Sequence, residues 1–229
     1  MRWITFTLAT ALACAPLSAK EDQTKVNERL DDAATLFSEI MSAPDKTIPQ
    51  DLLNKSQCVA LVPGLKKGAL VIGGKYGVGF AVCRKTGGEG WGPPASIRIE
   101  GGSFGPQIGF SSSDVVALVM NERGMKHLLT DKFTIGADAT AALGPVGRNA
   151  TAQTDATMTA EILSWSRSKG VFAGASLDGS TVRNDLDGNQ AMYGKRWNTK
   201  QILNSGAAPP AAAEKLLAEL NKYSSRKTN

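Results

Sequence analysis

The chain predicts an α+β fold. Mostly antiparallel short strands form a curved or barrel-like sheet, flanked by helices at both ends. Three observations lead there. Apolar residues recur at spacings of three and four both near the start and at the end of the chain, the mark of amphipathic helices. Between those ends lie short β-branched runs punctuated by Gly and Pro, which read as strands joined by tight turns. Strands and helices do not alternate, so the doubly wound parallel class is excluded.

Residues 1–19 carry a positive Arg2, an apolar run over 4–15 and the small-residue end Leu17-Ser18-Ala19. That pattern predicts a secretory signal peptide, removed before Lys20, and a mature protein that is periplasmic or secreted. A second reading stays open, in which Cys14 becomes a lipidated N-terminus. Residues 20–229 are then one domain. Two cysteines, Cys58 and Cys83, follow the leader. An even count in an exported chain favours a disulfide between them, with two buried thiols as the alternative.

The first helix is predicted over 22–41, with Val26, Leu30, Ala33, Phe37 and Met41 on one stripe. Its polar face is mostly acidic: Glu28, Asp31, Asp32 and Glu39 against Lys25 and Arg29. Membrane-surface helices are normally rich in Lys and Arg, so this one is expected to pack on the domain. A short helix opens near Pro49, since Pro suits a first turn. Three strands are read at 59–62, 69–72 and 78–82, separated by a turn at Pro63-Gly64 and by the glycines at 73, 74 and 77. Trp91 falls in a loop over 86–94. Strands follow at 95–100 and 115–120, and Asn121 caps a short helix over 122–129. Extended segments at 133–135 and 139–143 precede a strand pair, 161–166 and 171–177. The end of the chain reads as a helical turn at 185–193 and two helices, 200–203 and 211–223.

Three motifs suggest chemistry, and each has a plainer reading. Gly101-Gly102-Ser103-Phe104-Gly105 fits G-x-S-x-G, yet no helix pattern follows Ser103 to expose it as a nucleophile elbow requires. Gly77-Val78-Gly79 leads into Phe-Ala-Val-Cys rather than a helix N-terminus, so it has no dipole to hold a pyrophosphate. Asp185-Leu186-Asp187 opens like a calcium loop but has Gln190 and Arg196 where Gly and Glu belong. With one histidine, His127, a His-based metal site or relay is not expected. The chain reads as a non-enzyme without cofactor or metal. A net charge of +5 is mild, and nucleic acid is not an expected partner.

Several stretches together resemble the SYLF domain family, related to the yeast Ysc-type actin- and phosphoinositide-binding proteins. They are VALVPGLKKGALVIGGKYGVGFAVCR (59–84), EGGSFGPQIGFSSSDVVALVMN (100–121), DKFTIGADATAALGPVGR (131–148), SWSRSKGVFAGASLDG (164–179) and NQAMYG (189–194). The resemblance implies binding of an anionic phospholipid or phosphoinositide-like headgroup at the envelope membrane surface by an exported bacterial relative. A non-catalytic structural or protein-interaction domain, with an envelope protein as partner, is the alternative. The family's eukaryotic members use a basic N-terminal amphipathic segment, and the acidic helix here departs from that pattern.

Charge points to where a headgroup would sit. Between residues 55 and 98 there are seven basic residues against the single acid Glu89. Lys66 and Lys67 are expected in a turn, with Lys75 nearby. Arg84 and Arg98 offer planar forks suited to phosphate. Arg148 lies in the LGPVGR turn, and Arg167 with Lys169 flanks another. These eight are the candidate lipid-binding residues.

Overall fold

The computed structural model describes residues 22–43, 48–69, 72–87, 89–104, 109–146, 159–168 and 171–225. The predicted leader (residues 1–19), Cys14, Arg148 and Lys169 lie outside the described residues. Helix α1 (Gln23–Ser42) starts where Asp22 accepts a hydrogen bond from the Thr24 amide at 3.0 Å. Its stripe is wider than the spacing alone shows: Ala34, Leu36 and Ile40 are buried beside the five expected residues. Helix α2 (Gln50–Lys55) follows Pro49.

Nine strands come next: β1 (Cys58–Ala69), β2 (Ile72–Cys83), β3 (Ala95–Phe104), β4 (Gly109–Val119), β5 (Lys132–Thr134), β6 (Ala141–Leu143), β7 (Ile162–Ser168), β8 (Val171–Gly174) and β9 (Thr181–Asn184). Helix α3 (Glu122–Leu128) lies between β4 and β5, capped by Asn121. Helices α4 (Leu186–Tyr193), α5 (Thr199–Asn204) and α6 (Glu214–Tyr223) finish the chain. The strands form one curled sheet in the order β5-β9-β3-β2-β1-β4-β7-β6, with β8 also paired on β7. Among the described strands every pairing is antiparallel except β6 with β7.

Side chains alternate across this sheet and divide the core in two. Val59, Leu61, Phe80, Val82, Val116, Leu118, Leu163 and Trp165 face the helices and pack with α1 and α6. Cys58, Ala60, Val62, Ala81, Ile97, Ile99, Val115 and Val182 face the other way, with Phe133, Ile135 and Leu177.

The central region differs from its sequence reading. Three short strands are in fact two strands of 12 residues each. Pro63-Gly64 is not a turn but a bulge. Leu61 pairs with Phe80 and Lys66 with Tyr76, so β1 uses one residue more than β2 over that interval. Gly64 takes φ +62° there, a left-handed conformation that disfavours any residue with a Cβ. Its amide donates to Asp114 Oδ1 at 2.9 Å. Across the bulge β1 crowds β2, and a Cβ on Gly79 would fall 2.0 Å from the Leu61 carbonyl oxygen. Lys66 and Lys67 are therefore strand residues, not turn residues. Gly77, read as punctuation, instead admits β1, since a Cβ there would fall 2.7 Å from Leu65 Cδ1.

The cysteines are a register pair of β1 and β2, joined by a disulfide with Cα atoms 4.0 Å apart. It ties the hairpin at the end away from the lysines.

Candidate functional site

The one-residue bulge decides which way each lysine points. Before it, Cys58, Ala60 and Val62 share the inner face; after it, Leu65 and Lys67 do. Lys66 consequently turns to the outer, helix-bearing face. Register then sets the neighbours. Lys67 lies directly opposite Lys75 on β2 and Ser111 on β4. Lys66 lies opposite Tyr76 and Ser112. One row nearer the strand ends, Gly68 faces Phe110 and Gly74. Three strands thus bring Lys66, Lys67 and Lys75 to one end of the sheet, around a groove of about 600 Å³ that Tyr76 and Phe110 also line.

This arrangement is electrostatically costly without a counter-charge. Like charges directly opposite on adjacent strands destabilise a sheet. Burial, and then the Lys67 ammonium, push the Lys75 ammonium below its ordinary pKa, against a smaller opposing effect of Asp178. Lys75 Nζ donates to the Asp178 carbonyl at 3.2 Å. Among the described residues neither Lys66 nor Lys67 has a carboxylate within ion-pair distance.

The other predicted basic residues are placed elsewhere. Arg84 follows the far end of β2, nine residues from Lys75 and so about 30 Å along the strand. It is buried, stacked 3.8 Å over the Trp91 ring, and donates to the carbonyls of Ser224 (2.6 Å) and Leu53 (3.1 Å). Trp91 Nε1 donates to the Ser224 carbonyl at 2.8 Å. These two side chains clasp the end of α6 to the sheet, and their groups are not turned to a ligand. Arg98 lies on the outer face, 3.8 Å from Glu100, which also accepts from Arg183 at 3.2 Å. Arg167 is held between Asp114 (2.6 Å) and Glu39 of α1. A second cleft of about 520 Å³ lies there, lined by Lys25, Glu28, Asp32, Glu39, Asp114 and Arg167. Its mixed charges largely answer one another, which makes it the weaker anion site.

The enzyme-like motifs take structural places. Ser103 is a β3 residue paired with Gly73, not the start of a helix. Asp185 is buried; its carboxylate accepts from Ser96 Oγ at 2.7 Å and does not cap α4. Asp187 pairs with Arg196 at 2.8 Å. No group of three metal-ligating side chains occurs among the described residues. His127 is half-buried on α3, 3.6 Å from the buried Glu161.

Sequence reasoning missed Phe110, 87% exposed, and Tyr76, 49% exposed. The signal was available. Phe110 is followed by Ser111-Ser112-Ser113-Asp114, so the positions two and four places on are polar and no apolar stripe runs on from it along the strand.

Residues 100–223 match the family described as "Ysc84: Las17-binding protein actin regulator". The chain is similar to LAS seventeen-binding protein 3 of Saccharomyces cerevisiae, 31% identical over 77% of the chain and 39% of that protein. It is similar to the human SH3 domain-containing YSC84-like protein 1, 32% identical over 84% of the chain and 57% of that protein. For the Xenopus laevis protein of the same name the figures are 30%, 92% and 62%. The chain thus spans less than two thirds of the length of these relatives. By the family match and these identities, the chain belongs to the Ysc84/SYLF family.

Proposed function

We propose that the chain binds anionic lipid headgroups at a membrane surface through the lysine-bearing end of β1 and β2. The observation that carries this reading is the opposed pair Lys67–Lys75, with Lys66 beside it. An anion seated there relieves the like-charge repulsion and gains two or three ammonium contacts. The leader pattern of residues 1–19 supports an envelope membrane as the place of action.

Each lysine near an anionic surface contributes about 1 kcal/mol. Replacing both Lys66 and Lys67 by Ala should then weaken binding roughly thirtyfold, and reversing both charges should weaken it further. The test is co-sedimentation with neutral and anionic vesicles at low and high salt, comparing wild type with the Lys66→Glu, Lys67→Glu double variant. Equal binding of the two proteins to anionic vesicles would remove these lysines from the site. The names of the family and of its yeast relative speak of binding a protein, which favours a second reading: a structural or protein-interaction domain. That reading predicts no vesicle binding by the wild type at any salt concentration.

A further inference from the structure

The lysine end of the sheet has an outer face as well as an inner one, and the outer face carries exposed aromatic side chains beside Lys66. Phe110 stands there, the most exposed large apolar side chain among the described residues. Its position is built. The Cδ1–Cε1 edge of the ring lies over β1 at Gly68, where a Cβ would come within 2.8 Å of Cε1. The missing Cβ leaves room for that edge to lie over the strand, with the rest of the ring exposed. One row further from the strand end, Tyr76 and Lys66 stand side by side on the same face.

The order of these rows matches the layering of a membrane interface. Two residues of strand separate Phe110 from the row of Ser112, Lys66 and Tyr76, which is about 7 Å along the strand. Apolar groups of peripheral proteins reach about 5–10 Å into the headgroup and acyl boundary. Tyrosines sit at headgroup level, and lysines bury their stems while keeping the ammonium among the phosphates. A sheet approaching end-on would therefore place the phenyl ring below the plane of the lysines.

We infer that Phe110 inserts into the acyl boundary of an anionic bilayer while Lys66, Lys67 and Lys75 hold the headgroups above it, with Tyr76 at their level. The inference rests on the lipid reading above and adds an apolar, salt-resistant component to it. The bilayer is favoured over a second copy of the chain by charge: two such ends brought together would face three lysines with three more.

The test uses the whole mature chain with vesicles of phosphatidylcholine, alone or mixed with phosphatidylglycerol. Phe110→Ser should keep the wild-type circular dichroism and melting curve, since the ring is exposed and serine already occupies the next three positions. It should lose about tenfold in affinity for the mixed vesicles, the scale for leaving most of one phenyl ring in water. That loss should persist at high salt, whereas the loss from Lys66→Glu, Lys67→Glu should shrink as salt screens it. In Phe110→Trp, binding should be retained, and the fluorescence gained over wild type should shift to the blue on adding vesicles and be quenched by bromine-labelled acyl chains. Wild-type affinity in Phe110→Ser, with the lysine variant impaired, would overturn the insertion and leave the headgroup site standing. An absence of vesicle binding by the wild type would overturn both. A wild-type dimer without vesicles that becomes monomeric in Phe110→Ser would make this face a self-association surface and overturn the inference.

Discussion

Replacing Phe37 by alanine distinguishes an integral first helix from a detachable one. Phe37 is fully buried on α1, and its ring meets Tyr223 of α6 edge-on, with centroids 5.9 Å apart and planes at 80°. Truncating a buried Phe costs about 3–5 kcal/mol, including the cavity left behind. The lost aromatic pair, about 0.5–1.5 kcal/mol, puts this site toward the upper half of that range. At roughly 2–4 °C per kcal/mol for a domain of this size, the melting temperature should fall by roughly 8–20 °C. Glu28→Gln, on the exposed face of the same helix, should shift it by no more than about 2 °C. The assay is thermal unfolding followed by circular dichroism and by tryptophan fluorescence, with vesicle binding measured in parallel. Should Phe37→Ala melt within about 2 °C of wild type while losing vesicle affinity, α1 would be a membrane-binding segment that leaves the domain. The packing argument would then be wrong.

Two further outcomes follow from the hairpin. The Cys58–Cys83 bridge closes a sequence separation of 25 residues, so breaking it by Cys58→Ala, Cys83→Ala should lower stability by about 3 kcal/mol in urea unfolding; an unchanged midpoint, or peptide mapping that finds both thiols reduced in protein purified without reductant, would refute this. Lys67→Gln should move the Lys75 titration upward but only part of the way to 10.5, because burial is the larger cause of its depression. The unfolded chain holds the Lys75 proton more tightly than the fold does, so wild-type stability should gain from this group as pH rises from its folded pKa to 10.5. Titration of the labelled lysine Cε carbons by nuclear magnetic resonance checks the first part, and a Lys75 curve indifferent to Lys67 would show that the two ammoniums do not interact.

Local pattern was sufficient for the elements whose stability is local or one-sided. Helix α1 was legible because its 3.6-residue stripe meets a single core, and α3 because Asn121 caps it. The antiparallel α+β class was legible from strand-length runs and their order. So was the cysteine pair, although its place as a register pair at the open end of the β1–β2 hairpin was not. Tertiary structure decided what register and contact decide. Pro63-Gly64 reads as a turn in isolation, and only pairing with both β2 and β4 makes it a bulge that turns Lys67 to the inner face and Lys66 to the outer one. Strand β9, four residues long, has no periodicity to announce it and exists because β3 and β5 both pair with it. Arg84 and Lys75 are alike as charges in the sequence. One is consumed in holding α6, and the other is set opposite a second lysine. A side chain's charge is a property of its residue, whereas its availability depends on which distant backbone and charges the fold brings beside it.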